Sequence, residues 1–284
     1  MSIKLSPALK SLISAPHAFP AALPAPPRQA LNELFDQIRR RAEPYGVNAD
    51  TWLTLGTAGI MTVNSPDSLC ALWDFASARR DNQEGKIRDA LIMRETGLKC
   101  ISFNGIPRTI NNLGALHTHQ TKEFTDHLPT TSYRTPDASN LAEISTRGRA
   151  LWNNIYSPHH EKLLSKLGQS HPDLPVHILN SHYGPLLSDP STPGASIVGR
   201  LLTSIVAMTC LRLQTGVGLQ VTSHVYGLKK ALTEGNTAEK EVAGAEWLTS
   251  DEGVTWVLES ADEISRVVAE GQTSFGKTLQ KAKL

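Results

Sequence analysis

Two side chains in this sequence have the types that acid–base chemistry needs, at a spacing that packed helices can bring together. Arg200 opens the apolar stretch 197–213, and His224 lies on the next helical stretch, on a stripe with Val217, Val221 and Leu228. Those four positions share one helical face, so His224 points toward an apolar interior and not to water. A guanidinium binds a carboxylate through two parallel hydrogen bonds, and an imidazole near neutral pKa moves a proton. Together they suit proton transfer or decarboxylation on a small carboxylate. The same residues also allow a core histidine bonded to backbone, with Arg200 pairing to a carboxylate across a subunit contact. Residue types alone leave both readings open.

The other chemistry-bearing residues form no recognised signature. Cys70, Cys100 and Cys210 are odd in number and far apart, each in an apolar helical stretch, so buried reduced thiols are expected. There is no Cys-x-x-Cys and no Gly-x-Ser-x-Gly, and Gly216-Val217-Gly218 lacks the third glycine of a dinucleotide fingerprint. His117-Thr118-His119 and His159-His160-Glu161 offer metal-ligand types without a third ligand at recognisable spacing. They are expected as solvated loop histidines, and no metal or cofactor is assigned. Glu95 and Lys99 are expected to form a surface i,i+4 pair.

One arrangement of short motifs is more specific. The chain reads His177-Ile-Leu-Asn-Ser-His-Tyr-Gly184, then a loop, then Gly199-Arg-Leu-Leu-Thr-Ser-Ile-Val-Ala207, and later Ser223-His-Val-Tyr-Gly227. Leu151-Trp152 and Ile155-Tyr156 precede them, and Phe103-Asn104-Gly105-Ile106-Pro107 lies further upstream. Over about residues 145–235 this resembles the carboxymuconolactone decarboxylase and alkylhydroperoxidase D-like superfamily. In that family an arginine opens a buried helix and a histidine starts the next. The resemblance implies the alkylhydroperoxidase D-like helical fold, here as two related halves, 28–120 and 139–270, in one domain spanning 28–284. It also implies a homo-oligomer. The peroxidase branch carries its thiols where this chain has Val217 and Gln220, and its proton-relay glutamate near Ile205. Without those thiols nothing attacks a peroxide by that mechanism. Two function classes remain. One is a cofactor-independent decarboxylase or isomerase acting on a small carboxylate or lactone, with Arg200 and His224 as catalytic residues. The other is a non-catalytic interaction or assembly protein that kept the fold.

The elements that must position these residues read as helices. Leu31, Leu34, Phe35 and Ile38 recur at helical spacing, the nearly uncharged stretch from Trp52 to Val63 reads as a buried helix, and Ser65-Pro66-Asp67 reads as a helix start. Gly105 is expected to turn the chain so that Pro107 sits in the first turn of the next helix. The polar run from His117 to Ser139 reads as a long connection, and two helices are expected over Glu239–Leu248 and Asp251–Ala269. No strand-length alternation occurs, so the expected class is all-α.

At 284 residues the chain can bury a large core, and 28 basic against 27 acidic residues give no reason to expect nucleic acid as a partner. No apolar run is long enough for a membrane span. Residues 1–27 read as a flexible, proline-broken arm. The arm has no acidic residue, and Lys4, Lys10 and four serines stand in its first 14 positions, a bias shared with mitochondrial transit segments. An intracellular address, cytoplasm or mitochondrion, is expected from the reduced cysteines and the absence of any Asn-x-Ser/Thr sequon.

Overall fold

Helix starts are written locally in this chain, in caps and prolines. The computed structural model describes residues 3–192, 196–233 and 237–272, and among them every regular element is helical. Helix α1 (Pro7–Ile13) is capped by the Ser6 side chain. Helix α2 (Arg28–Ala42) buries Leu31, Leu34, Phe35 and Ile38 and ends on Arg39, Arg40 and Arg41, where cations meet the negative end of the helix dipole. The Asn48 side chain caps α3 (Ala49–Val63), which is buried from Asp50 to Val63. Pro66 opens α4 (Pro66–Ser77), although the Ser65 hydroxyl bonds the Ser68 hydroxyl instead of a backbone N–H. The Asn82 side chain caps α5 (Gln83–Lys99) by accepting from the Gly85 N–H at 2.8 Å.

Gly105 then turns at φ 80°, a conformation glycine adopts without a steric penalty, and Pro107 enters the first turn of α6 (Ile106–His119), as expected. The second part of the chain contains α7 (Leu141–Tyr156), α8 (His160–Ser170), a ten-residue π-helix (Ile178–Leu187), α9 (Arg200–Arg212), α10 (Gly218–Lys229) and α11 (Asp251–Val268).

Two expectations about connections are corrected. The polar run from His117 is not loop throughout: α6 continues to His119, a helical turn follows at Lys122–Thr125, and Leu128 is buried. The helix expected over Glu239–Leu248 is instead a 3-10 turn, Thr237–Glu241, and a single α-turn, Ala245–Leu248. Gly244 divides them at φ 76°, and a Cβ there would meet Val47 at 2.6 Å.

The all-round apolar helices α3 and α9 lie against each other at the centre, with α5 and α11 packed on both. One apolar cluster runs through them from Leu31 to Ala269 and draws on both 28–120 and 139–270. A smaller cluster, including Trp152, Ile155, Leu164 and Tyr183, joins α7, α8 and the π-helix. Among the described residues no helix is long and apolar enough to cross a membrane.

Candidate functional site

The site begins with two glycines. Gly148 of α7 and Gly184 of the π-helix cross so closely that a Cβ on Gly148 would lie 2.5 Å from the Gly184 nitrogen. This contact brings Tyr156, at the end of α7, to the π-helix tyrosine, and their hydroxyls bond at 2.9 Å. The Tyr156 hydroxyl also lies 3.3 Å from His224 Nε2, completing a chain Tyr183–Tyr156–His224. Phe103, from the first half of the chain, meets the His224 ring edge-on at 6.1 Å.

Arg200 and His224 are both buried, on adjoining helices. The Arg200 guanidinium donates from Nε to Asn154 Oδ1 at 2.6 Å, from Nη1 to Ser204 Oγ at 2.9 Å, and from Nη2 to the Gly227 carbonyl at 2.7 Å. Gly227 lies one turn beyond His224, so this last bond sets α10 against α9. Among the described residues no carboxylate comes within ion-pair distance of the guanidinium. Glu239 lies nearby, but its two oxygens accept the backbone N–H groups of Arg200 and Leu201, at 3.0 and 2.8 Å, at the positive end of α9. His224 Nδ1 is buried and has no hydrogen-bond partner among the described residues.

Burial sets the electrostatics. It pushes the His224 pKa down to about 4, helped by the charge of Arg200, so the imidazole is neutral at physiological pH. Burial also lowers Arg200 to about 10, against the pull of Glu239, and the guanidinium stays charged. Both tyrosines are raised by burial, Tyr183 more strongly, and remain protonated. The arrangement is a neutral base, two neutral acids in series and one fixed cation. It can accept a proton, pass it along a hydroxyl chain and hold a negative charge beside Arg200.

Only part of the stripe that carries His224 faces inward. Leu228 is fully buried, whereas Val217 and Val221 are partly exposed and line a separate surface cleft of about 620 Å³.

Lys99 is the residue that sequence reasoning missed. It is 0% exposed, and its ammonium reaches the carbonyls of Leu187 and Val198 at 2.8 and 2.6 Å, Thr203 Oγ1 at 2.8 Å and Asp189 Oδ1 at 2.8 Å. The expected surface pair with Glu95 does not form, since Glu95 bonds Arg134 at 2.5 Å. Spacing suggested the pair because positions 95 and 99 share a face, but that face is covered by the second half of the chain. The only available signal was the neighbourhood of Lys99, which stands between Leu98 and Cys100-Ile101.

The other candidates separate. His119 bonds Asp74 at 2.7 Å from the last turn of α6, and His160 opens α8, so neither is a free loop histidine. Among the described residues no three His, Cys, Asp or Glu side chains are grouped to hold a metal ion. Cys70, Cys100 and Cys210 are buried free thiols, and the last two lie 3.7 Å apart. No protein-family model, curated protein or solved structure matches this chain.

Proposed function

We propose that this chain is a diverged relative of the carboxymuconolactone decarboxylase-like proteins, with a cofactor-independent acid–base site for a small carboxylate or lactone at Arg200 and His224. The supporting observation is a buried guanidinium with no carboxylate in ion-pair reach among the described residues, beside a buried imidazole whose Nδ1 is unpartnered. A buried cation is costly unless an anion compensates it, and a buried polar atom without a partner calls for an explanation. Arginine has five N–H donors and the protein takes three, leaving two for a ligand oxygen. A substrate carboxylate would supply the directly bonded anion that Glu239, engaged with the α9 backbone, does not.

In this reading His224, neutral at working pH, takes the proton from the carbon next to a carbonyl. The C–H electron pair moves into an enolate, and Arg200 balances its charge. Tyr156 returns a proton to carbon, and the His224 imidazolium, 3.3 Å away, hands its proton to the Tyr156 oxygen, which restores both groups. If the substrate carboxylate instead leaves as carbon dioxide, the C–C electron pair forms an enolate, Tyr156 protonates it, and a proton from water, passed through Tyr183, restores Tyr156.

The test is exchange of solvent deuterium into small oxo-acids and γ-lactones, followed by proton NMR. His224→Gln should lower the exchange rate about 10²–10⁴-fold while leaving the thermal melt close to wild type, because glutamine keeps hydrogen bonding but cannot take the proton. Arg200→Lys should weaken carboxylate binding, because lysine loses the planar fork.

A second reading rests on the packing of Arg200 against Asn154, Ser204 and Gly227, which suits a non-catalytic assembly module. It expects both substitutions to lower the melting temperature markedly or dissolve the oligomer, with no selective effect on any ligand. Homo-oligomeric assembly comes with the family reading, and a mitochondrial address with the acid-free arm. A sizing column and cell fractionation with and without residues 1–27 check them.

A further inference from the structure

The arm ahead of α2 presents an apolar face that the described body of the protein does not cover. In α1, Ala8, Leu9, Leu12 and Ile13 fall on one side of the helix, while Lys10 and Ser11 fall on the other. No residue of α1 is buried; Leu12 is 63% and Ile13 56% exposed, and Ile3 just ahead is 95% exposed. Among the described residues, the hydrogen bonds of residues 6–14 are all made within residues 6–15. The arm is tethered further along, where the Leu23 N–H donates to the Asn64 carbonyl at 2.9 Å and Ala25 packs on the core. A seven-residue helix with no packed face is marginal in water, so its amphipathic pattern calls for a surface to lie on.

Charge indicates which surface. The chain as a whole is nearly neutral, yet no acidic residue precedes Glu33, and Lys4 and Lys10 stand beside the apolar face. Leucine and isoleucine side chains enter the acyl boundary of a bilayer, while lysine ammonium groups remain among anionic headgroups. A second copy of this chain is a poorer seat. Its polar cleft of about 650 Å³ carries Glu33, Asp36 and Asp74, but Arg28 and Arg79 line the same cleft, and Arg28 pairs with Asp74. We propose that residues 3–14 form an interfacial anchor that lays the α1 apolar face reversibly on an anionic lipid surface.

The test uses the full chain and cosedimentation with vesicles of phosphatidylcholine alone or mixed with phosphatidylglycerol. The wild type should bind the mixed vesicles, more weakly as salt rises, and bind pure phosphatidylcholine far less. Lys4→Gln with Lys10→Gln should weaken binding about 20-fold or more, from roughly fivefold per lysine near an anionic surface. Leu9→Glu with Leu12→Glu should abolish binding. Both double variants should stay close to the wild-type melting temperature, because no residue of the face they alter is buried in the folded body. Three results would overturn the proposal: no binding to mixed vesicles, equal binding by the leucine variant, or loss of an oligomer on the sizing column by that variant without any vesicle binding. The last would mean that the face seats a second copy.

Discussion

Lys99 Nζ donates to the Val198 carbonyl across 2.6 Å, which fixes the end of α5 to the chain two residues ahead of Arg200. The same ammonium bonds Leu187, the last residue of the π-helix that carries Tyr183. One buried cation therefore holds both elements that bring the site together. Lys99→Met keeps most of the side-chain volume and removes the charge and its donors. It should destabilise the fold by about 1–3 kcal/mol, because the carbonyls of Leu187 and Val198 lose their buried donor. Urea unfolding of the variant against wild type checks this, and a loss below about 1 kcal/mol would show that the cage contributes little.

His224 makes stability depend on pH in a defined window. Its folded pKa of about 4 lies below the ordinary histidine value of 6.5, so between these values the unfolded chain binds the extra proton. Stability from this group is complete above about pH 6.5 and is lost progressively as pH falls to about 4, by roughly 3 kcal/mol in all. Denaturant unfolding at closely spaced pH values should show that slope in wild type and a flatter profile in His224→Gln. Identical slopes would place the acid sensitivity elsewhere.

Gly148→Ala tests the crossing that aligns the tyrosines. The new Cβ would meet backbone atoms of Gly184 at 2.5 and 2.6 Å, and backbone cannot swing aside as a side chain can. The variant should lose about 2–3 kcal/mol and, through separation of the Tyr156 and Tyr183 hydroxyls, any proton-transfer activity. Retention of both stability and activity would mean that α7 and the π-helix slide freely.

Cys100 and Cys210 should not support dithiol-dependent peroxidase turnover. Both thiols are fully buried, and contact with Cys210 together with burial raises the Cys100 pKa well above its ordinary value, so Cys100 holds little thiolate. Native protein should be nearly inert to a thiol-specific reagent, with all three cysteines reacting after denaturation. Robust reduction of an organic hydroperoxide by a dithiol, lost in Cys100→Ser, would contradict this.

The helical class was legible because the stripes of α2 and α10 and the nearly uncharged run in α3 are local patterns. Pro107 was legible for the same reason, since a proline after a glycine turn has few other places in a helix. His224 could be assigned to the interior from its own helix alone. What it would touch there could not, because Tyr156 and Tyr183 reach it only through the crossing of Gly148 and Gly184, and that crossing joins residues 36 positions apart. Lys99 misled for a related reason. A charged residue at i,i+4 from its opposite satisfies a surface pattern, and whether that face meets water depends on chain arriving some 90 residues later. The stretch after His117 concealed its structure because polar residues can also form helix ends and ion pairs, as His119 with Asp74 and Arg134 with Glu95 show.

The apolar cluster running from Leu31 to Ala269 also bears on what happens if the chain is cut. A protease nick between Gln120 and Ser139 would sever the covalent link between the two parts without separating α3 from α9. Each fragment alone would expose the face that the other covers, so each made separately should aggregate, whereas the two produced in one cell should find one another and rebuild the core. Such a complementing pair would report directly on any condition, ligand or substitution that loosens the central seam.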